Sequence, residues 1–257
     1  MPAASATKSL GLSVSVVIPA LNEEATVAGV VRAARASCAS EVIVVDSDST
    51  DATAANAQEA GATVLNWRDI APEIPVQPGK GEALWRGVRA AAGDIVVFLD
   101  ADVITVQAGW VDRLAGEFVD KRVHLVKATY ARALDGAPRG GGRVTELTAK
   151  PLLRLLFPGL PALDQPLAGE YAIRRSTALE VPFVAGYGVE AGLLIDVASL
   201  HGPSSLTQVD LGQKIHRNRP LSELSEMADT VARTILARAG VGDIPVSYTH
   251  LRAHETE

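Results

Sequence analysis

A strand that runs directly into two carboxylates, at residues 94–102, constrains the fold of this chain more than any other feature. Its middle, Ile-Val-Val-Phe-Leu, has the composition of a strand buried on both faces. Because unpaired carboxylates are costly to desolvate, we expect the strand to end at Asp100 and to deliver Asp100 and Asp102 to a polar site. Oxygen ligands at such a strand end suit Mg²⁺ or Mn²⁺. Taken alone, the same pattern is more often a strand followed by an acidic turn.

Strands and helices alternate through residues 13–99, and each of the longer predicted strands ends in a polar loop. The first strand stops at Pro19, the second runs into Asp46 and the last into Asp100. Such alternation predicts an α/β fold with a mostly parallel, nucleotide-binding sheet, in which these loops share one edge. The predicted strands are residues 13–18, 41–45, 63–65 and 94–99, and the predicted helices are residues 25–36, 52–60 and 79–92.

The pattern is looser beyond Asp102. A final helix carries apolar residues at helical spacing, which fits either dimer formation or packing against the sheet. The sequence predicts a helix at 110–118, a strand at 123–130, a glycine-rich basic loop at 136–143, a helix at 145–157 interrupted early by Pro151, and the amphipathic final helix at 222–239.

Composition excludes several classes of protein. The 257 residues are 47% hydrophobic and 21% charged, which is enough apolar material for a folded core. The net charge of −6 disfavours nucleic acid as a partner. A single cysteine, Cys38, leaves no internal disulfide and favours a cytoplasmic location. No stretch approaches the roughly 20 apolar residues of a membrane span, and residues 1–12 lack the apolar centre of a signal peptide.

Three motifs at the predicted strand ends resemble the nucleotide-sugar half of GT-A glycosyltransferases, which have a Rossmann-like sheet. They are Val-Val-Ile-Pro-Ala-Leu-Asn-Glu-Glu, Val-Ile-Val-Val-Asp-Ser-Asp-Ser-Thr-Asp and Val-Val-Phe-Leu-Asp-Ala-Asp. Five later motifs make the chain similar to the retaining glucosyl-3-phosphoglycerate synthase family, which is related to mannosylglycerate-type synthases. These are Gly-Lys-Gly-Glu-Ala-Leu-Trp, Gly-Gly-Gly-Arg-Val-Thr-Glu-Leu, Gln-Pro-Leu-Ala-Gly-Glu-Tyr, Gly-Tyr-Gly-Val-Glu and Ile-His-Arg-Asn-Arg. The resemblance covers roughly residues 13–240.

The resemblance implies a site for a nucleotide-sugar donor. Main-chain groups and a carboxylate at strand ends can bind a base and ribose, and a lysine between two glycines can approach a diphosphate closely. Alternatively, Lys80 is a surface lysine at a helix start and Glu190 an acid at a helix N-terminus. The implied donor-binding residues are Pro19, Ala20, Leu21, Glu23, Ser49, Lys80, Asp100, Ala101, Leu167, Tyr187, Glu190 and Arg219.

The resemblance also implies a metal site and an acceptor site. Asp102 and His216 correspond to ligands of Mg²⁺ or Mn²⁺, whereas an isolated histidine is usually a packed or surface residue. An arginine fork after flexible glycines can hold a carboxylate or a phosphate, and 3-phosphoglycerate has both. The alternative interpretation of this glycine-rich stretch is a mobile surface loop without a binding role. The implied acceptor-binding residues are Gly142, Arg143, Thr145, Gly169 and Asn218.

We divide the chain on this basis. Residues 1–12 are a disordered lead-in, 13–104 the nucleotide-sugar-binding half, 105–221 the acceptor- and metal-binding half, and 222–244 a C-terminal helix. The final residues, 245–257, match neither the alanine-rich style nor the period of that helix. We interpret them as a non-native tail and give their histidines no functional role. A homodimer is the expected assembly.

The implied reaction moves glucose from UDP-glucose to the 2-hydroxyl of 3-phosphoglycerate with retention of configuration, and no general base is assigned. Glucose against mannose, UDP against GDP, and Mg²⁺ against Mn²⁺ stay open. One alternative is an inverting glycosyltransferase acting on an acceptor such as a polyprenyl phosphate, but the Gln-x-x-Arg-Trp motif expected there is absent. A nucleotidyltransferase would need a basic loop after the first strand, where this chain is acidic. A non-catalytic nucleotide-sugar-binding protein is the third alternative.

Overall fold

The computed structural model describes residues 11–132, 142–214 and 221–250, and its centre is a seven-stranded, mostly parallel sheet. The strands are β1 (Val14–Ala20), β2 (Glu41–Asp46), β3 (Thr63–Asn66), β4 (Ile95–Phe98), β5 (Leu125–Arg132), β6 (Tyr171–Arg174) and β8 (Leu206–Lys214), while β7 (Phe183–Val184) and β9 (Tyr248–His250) form a separate ribbon. The order in the sheet is β3-β2-β1-β4-β6-β5-β8. Only β6 runs antiparallel to its neighbours.

Helices cover both faces of this sheet, because its central strands have apolar residues on both sides. On β1, Val16 and Ile18 pack into one core and Val17 into the other. Successive side chains of a strand point to opposite faces, so one apolar run serves both layers. The helices are α1 (Val27–Arg35), α2 (Thr53–Glu59), α3 (Lys80–Ala90), α4 (Ala108–Gly116), α5 (Lys150–Leu156), α6 (Arg175–Glu180), α7 (Val189–His201) and α8 (Leu221–Arg238). No helix in the described ranges is long and apolar enough to cross a membrane.

The strands and helices predicted for residues 13–99 are confirmed, but α1 begins later than expected. Asn22 has a positive φ of 56°, and the turn after it is tied to the next loop instead of starting a helix. The backbone N–H of Glu23 donates to Thr53 Oγ1 at 2.7 Å, and that of Glu24 donates to Asp51 Oδ2 at 3.2 Å. These bonds give the two loops one shared conformation.

The helix predicted at 145–157 is divided into two helical forms. Thr145–Ala149 is a π-helix, and α5 follows it directly. Pro151 is the second residue of α5, and because proline has no N–H to donate, it lies where the hydrogen-bond pattern of the π-helix gives way to that of the α-helix. The proline therefore marks the change from one helical form to the other and does not end the segment.

Six elements in the second half were not predicted: β6, α6, β7, α7, β8 and β9. In α7 the apolar residues Leu193, Leu194, Ile195 and Val197 are all buried, so the helix has no polar face and no amphipathic period. The edge strand β8 is largely polar and half-buried. Neither sequence shows the periodicity by which surface helices or half-buried strands are recognised.

The beginning of the predicted non-native tail packs against the fold. β9 pairs antiparallel with β7, and the Ala185 N–H donates to the Ser247 carbonyl at 3.0 Å. Thr249 is buried and donates from Oγ1 to the Phe183 carbonyl at 3.2 Å. Whether these residues are native stays a prediction. The boundary predicted near residue 104 lies within one sheet, because β4 from before it pairs with β6 from after it.

Candidate active site

A cavity of about 420 Å³ opens at the carboxyl ends of β1, β2 and β4. β2 and β4 lie on opposite sides of β1, so the direction of the strand order reverses there, which is where open α/β sheets bind ligands. The cavity is lined by Pro19, Ala20, Leu21, Glu23, Ser47, Trp67, Gly79, Lys80, Ala83, Asp100, Ala101, Asp102, Gly142, Arg143, Val144, Thr145, Leu167, Gly169, Tyr187, Glu190, Lys214, Leu224, Met227 and Val231.

The loops after β1 and β2 are locked to each other behind the cavity wall. Asn22 Oδ1 accepts the Thr50 N–H at 2.9 Å, and the Asn22 N–H donates to Ser49 Oγ at 3.0 Å. The Ser49 N–H in turn donates to the Asp46 carboxylate at 3.3 Å. Ser49 therefore braces the two loops, and Ser47 instead lines the cavity.

A chain of alternating charges crosses the floor of the cavity. Lys80 Nζ lies 2.8 Å from Glu190 Oε1 and 2.7 Å from Asp100 Oδ1. Lys214 Nζ lies 3.1 Å from Asp100 Oδ2 and 2.6 Å from Glu170 Oε1. Both oxygens of Asp100 thus receive an ammonium group, and the carboxylate is held from two sides.

Burial and charge act in opposite directions on these groups. Burial alone would raise the pKa of Asp100, but the ammonium groups of Lys80 and Lys214 lower that pKa far below its usual range. Burial would lower the pKa of Lys80 and of Lys214, but their carboxylate partners raise both well above the ordinary lysine value. Burial raises the pKa of Glu170, with Lys214 opposing it. Asp100, Lys80 and Lys214 are therefore charged across the physiological range.

Asp102 differs from Asp100 in having no such partner. It lines the cavity, and its carboxylate forms no hydrogen bond or ion pair within the part of the chain that the structure describes. An uncompensated carboxylate in a polar cavity is the kind of oxygen donor that Mg²⁺ and Mn²⁺ prefer. The residues present therefore fit a divalent cation at Asp102. No cluster of three metal-binding side chains occurs among the described residues, and the second predicted ligand, His216, lies outside them.

The two glycines beside Lys80 allow close packing within the protein. Gly79 has a φ of 123°, and a methyl group there would lie 2.5 Å from the Ala185 carbonyl oxygen. At Gly81 it would lie 1.7 Å from the Val184 carbonyl oxygen. The Gly81 N–H donates to the Ala185 carbonyl at 2.8 Å. The first turn of α3 therefore packs against the backbone of residues 184–185, and this contact fixes the position of the Lys80 backbone.

The opposite wall of the cavity is formed by residues 142–145. Gly142 has a φ of 85°, Arg143 is exposed at the rim, and Thr145 is buried as the first residue of the π-helix. π-turns inside helices are frequent at functional sites. This segment adds a guanidinium and a hydroxyl to the lining of the cavity.

The structure brings most of the predicted site residues together. The described donor candidates except Ser49 line the cavity, as do Asp102 and the described acceptor candidates. Arg219, Asn218 and His216 lie outside the described residues. Sequence reasoning missed several lining residues: Ser47, Trp67, Gly79, Ala83, Val144, Lys214, Leu224, Met227 and Val231.

The missed residues are of two kinds, which differ in the signal that the sequence gives for them. Lys214 and its partner Glu170, which lies behind the cavity, are buried charges, and no pattern in the sequence indicates that a charge is buried. Leu224, Met227 and Val231 recur at helical spacing on α8, a period that reads equally well as packing on the sheet. Only the position of α8 over the cavity separates the two interpretations.

A mostly parallel α/β sheet with acidic strand ends at its switch point is typical of nucleotide-binding proteins. Comparison with known proteins identifies the class as the GT-A glycosyltransferases. The family model described as Glycosyl transferase family 2 matches residues 15–173. Glucosyl-3-phosphoglycerate synthase of Mycolicibacterium smegmatis is 48% identical over 251 residues, covering 95% of this chain and 83% of that protein.

Two solved structures of glucosyl-3-phosphoglycerate synthase from Mycobacterium tuberculosis superpose closely on this chain. The first, in complex with Mn²⁺, UDP-glucose and phosphoglyceric acid, has a TM-score of 0.86 at 46% identity and covers 94% of this chain and 84% of that one. The second, with Mg²⁺ and UDP, has a TM-score of 0.86 at 45% identity, with coverage of 94% and 83%. The chain belongs to glycosyl transferase family 2 and, within it, to the glucosyl-3-phosphoglycerate synthases.

Proposed function

We propose that this chain transfers glucose from UDP-glucose to the 2-hydroxyl of 3-phosphoglycerate with retention of configuration. The observation that carries the proposal is a single cavity in which the strand-end donor motifs, the free carboxylate of Asp102 and the Arg143–Thr145 wall face one another. The M. tuberculosis relative, which superposes over 94% of this chain, holds UDP-glucose and phosphoglyceric acid in one structure. A relative of the same fold therefore binds UDP-glucose and phosphoglyceric acid in one complex.

The donor is assigned to the wall built by β1, α3 and β4. Backbone groups of residues 19–21 and the carboxylate of Glu23 would bind the base and ribose, with Asp100 and Ala101 below them. Lys80, with Glu190 beside it, meets the diphosphate or the sugar. When a donor enters, its phosphate competes with Asp100 for Lys80, so binding exchanges one ion pair for another and leaves few charges unpaired.

Asp102 and His216 are the residues that would hold the divalent cation. Bound there, Mg²⁺ or Mn²⁺ neutralises negative charge on the diphosphate of the departing nucleotide. Lys214 lies at the same floor, fully buried and paired with Asp100 and Glu170, and Arg219 is placed with it by the resemblance. Fixed positive charges of this kind stabilise a leaving phosphate without reorganisation during the reaction.

The acceptor is assigned to Gly142, Arg143 and Thr145, with Gly169 and Asn218. The guanidinium of Arg143 is matched to a carboxylate or phosphate, and the hydroxyl of Thr145 is fixed by burial in the first turn of the π-helix. This places the acceptor across the cavity from Lys80. Positioning of two bound reactants is itself a large part of catalysis.

No side chain is assigned as nucleophile or base. Asp100 and Glu190 are each held in an ion pair with Lys80, and Asp102 is reserved for the cation. The acceptor hydroxyl then attacks on the face that the diphosphate leaves, and its proton passes to the departing phosphate oxygen. In this mechanism the protein supplies position and charge.

A turnover assay tests the proposal. Purified chain is mixed with UDP-glucose, 3-phosphoglycerate and Mg²⁺, and UDP release is followed with glycerate and with no acceptor as controls. We expect release that depends on both 3-phosphoglycerate and metal. GDP-mannose in place of UDP-glucose tests the donor. Release without acceptor dependence would indicate a hydrolase or another acceptor, and UDP binding without release would indicate a non-catalytic nucleotide-sugar-binding protein.

A homodimer in the cytoplasm completes the proposal. Leu147 and Leu155 are the most exposed large apolar residues of the π-helix and α5, at 78% and 75% exposure. Exposed apolar side chains about two helical turns apart favour a protein contact. Light scattering of the purified chain tests this, since a mass near 26.9 kDa would show a monomer.

A further inference from the structure

A short wall, residues 168–170, lies directly behind the Asp100 carboxylate. A methyl group on Gly169 would lie 2.1 Å from Asp100 Oδ2 and 2.5 Å from Oδ1, so the carboxylate packs on the bare Cα of this glycine. Contacts this close leave the carboxylate little freedom to rotate toward the wall. The position of residues 168–170 therefore sets the position of Asp100.

Two buried charged residues fix this wall from behind. Lys127 Nζ donates to the Ala168 carbonyl at 2.7 Å, and the Ala128 N–H donates to the Glu170 carbonyl at 3.0 Å. Glu170 then holds Lys214 at 2.6 Å, and Lys214 reaches Asp100 Oδ2 at 3.1 Å. Asp100 is thus reached from β5 by two routes, one through the backbone of the wall and one through Lys214.

The burial of Lys127 and Glu170 is not explained by a gain in the stability of the fold. Lys127 is 1% exposed, and besides the Ala168 carbonyl its ammonium faces only the Tyr171 ring, 4.2 Å from the ring centroid, among the contacts described. Burial lowers the pKa of Lys127 to about 7. Glu170 is fully buried, and its Oε2 has no hydrogen-bond partner in the described ranges. Buried charges with unfilled hydrogen bonds cost free energy, and apolar residues of the same shape are often as stable or more so.

We propose that Lys127 and Glu170 are positioning residues for donor binding: through residues 168–170 and Lys214 they hold the Asp100 carboxylate where the donor meets it. The inference rests on the proposed function in one respect, the assignment of Asp100 to the donor. Neither residue lines the cavity, so their effect on the ligand is indirect.

Lys127→Met separates positioning from stability. The methionine side chain has similar length, fills the space against Tyr171 and needs no hydrogen bond. We expect at most a small fall in Tm, because the Ala168 carbonyl loses its donor while a buried charge is removed. The Kd of UDP in the presence of Mg²⁺, measured by titration calorimetry, should rise on the order of tenfold. A lower Tm with unchanged UDP affinity would show a purely structural lysine and overturn the proposal.

Glu170→Gln keeps the shape of the side chain and removes its charge. Lys214 is then drawn toward Asp100, which shifts the carboxylate away from Lys80. We expect the KM for UDP-glucose and the Kd of UDP to rise on the order of tenfold and the KM for 3-phosphoglycerate to rise less, because Gly169 is the one described acceptor candidate in this segment. Asp196→Asn is the matched control, because Asp196 pairs with Arg238 at 2.6 Å and does not line the cavity.

The control distinguishes the possible results. Asp196→Asn should lower Tm without changing either KM. Equal increases of both KM values in Glu170→Gln, or a lower Tm with normal UDP affinity, would overturn the positioning role. A wild-type chain that binds UDP but does not turn over would refute the proposed reaction alone, and the UDP affinities of the two variants would still decide the positioning.

Discussion

Two sets of buried charges lie beside α3, and they are built in different ways. Within the helix, Arg86 and Glu82 are both 0% exposed and pair at 2.6 Å, and the guanidinium also donates to the backbone carbonyls of residues 70, 71 and 74. The partners of these two charges are all other groups of the protein, and we call Arg86 and Glu82 the closed pair. At the first turn, Lys80 belongs to the chain of charges on the cavity floor, which borders open space.

The difference separates a structural pair from a functional one. Arg86 ties the segment before α3 to the helix, so its hydrogen bonds are used up by backbone. Lys80 and Asp100 form an ion pair at the cavity, and a bound ligand can replace either partner. Asp102 beside them has no hydrogen-bond or ion-pair partner in the described part of the chain. Changes at the closed pair should therefore alter stability, and changes on the cavity floor should alter activity.

Removal of the Asp102 carboxylate should give the largest functional effect. Asp102→Ala should lower metal-dependent turnover by more than about a hundredfold, because a first ligand matters more than its outer partners. Tm should stay near that of the wild type, since the residue lies in a loop beyond β4 and forms no described contact. Turnover at varied Mg²⁺ and a thermal melt measure both; retained Mg²⁺-dependent activity would refute the metal assignment.

Breaking the closed pair should give the opposite result. Glu82→Gln leaves Arg86 buried without its counter-charge, which should cost about 3–5 kcal/mol of unfolding free energy. Turnover per folded molecule should be unchanged. Urea unfolding measures the loss, and Asp120→Asn is the control, because its pair with Arg122 is exposed at 41% and 77% and should contribute little to stability. A normal stability in Glu82→Gln would remove the contrast between the two sets.

Arg143→Ala tests whether residues 142–145 bind the acceptor and the opposite wall binds the donor. Loss of one charge-assisted contact, about 1.5–3 kcal/mol, should raise the KM for 3-phosphoglycerate by roughly one to two orders of magnitude. The KM for UDP-glucose should change little, because the donor is assigned to the opposite wall. Steady-state kinetics with each substrate varied in turn gives both constants. An equal loss for the donor would mean that this loop belongs to the donor site.

A smaller effect is expected from a titratable pair far from the strand ends that form the cavity. The rings of His124 and His201 stack at 3.7 Å, with His124 Nδ1 2.7 Å from Thr177 Oγ1. Burial, His201 and Arg174 lower the pKa of His124 from 6.5 to about 4. The unfolded chain therefore binds this proton first, and the stabilisation, complete above pH 6.5, is lost as pH falls toward 4.

The measurement for this pair is Tm against pH in the wild type and in His124→Gln. Wild-type Tm should fall more than that of the variant between pH 6.5 and 4, by on the order of 2–4 °C. UDP affinity at neutral pH should be the same in both. Parallel Tm curves would show that His124 does not carry this dependence.

Much of the first half of the fold could be predicted from the sequence, and less of the second. Val16, Val17 and Ile18 form an apolar run long enough for a doubly covered strand, and the polar residues after it mark its end. By contrast, α7 is buried nearly all round and β8 is a polar edge strand, so neither has a period. Periodicity reports how one face differs from the other, and it is lost when both faces meet the same surroundings.

The candidate site divides in the same way. The strand-end motif predicted that Asp100 and Asp102 lie at the site, because local sequence decides where a strand stops and which side chains follow it, whereas Lys80 was assigned to the site by the resemblance. The resemblance assigned Ser49 to the donor site, which stays a prediction, and in the structure Ser49 braces two loops. Gly79 and Gly81 were expected to let Lys80 approach a diphosphate, which also stays a prediction, and the structure adds that they pack on the backbone of residues 184–185.

The sequence by itself determined the class of fold, the edge of the sheet that carries chemistry and the acids found there, since these follow from short apolar runs and the polar residues that end them. Only the tertiary structure decided which charges meet. Lys214 and Glu170 lie 114 and 70 positions from Asp100, and their contact depends on the antiparallel insertion of β6 between β4 and β5. Pairing between distant strands is a property of the whole sheet, and no local stretch of the chain encodes it.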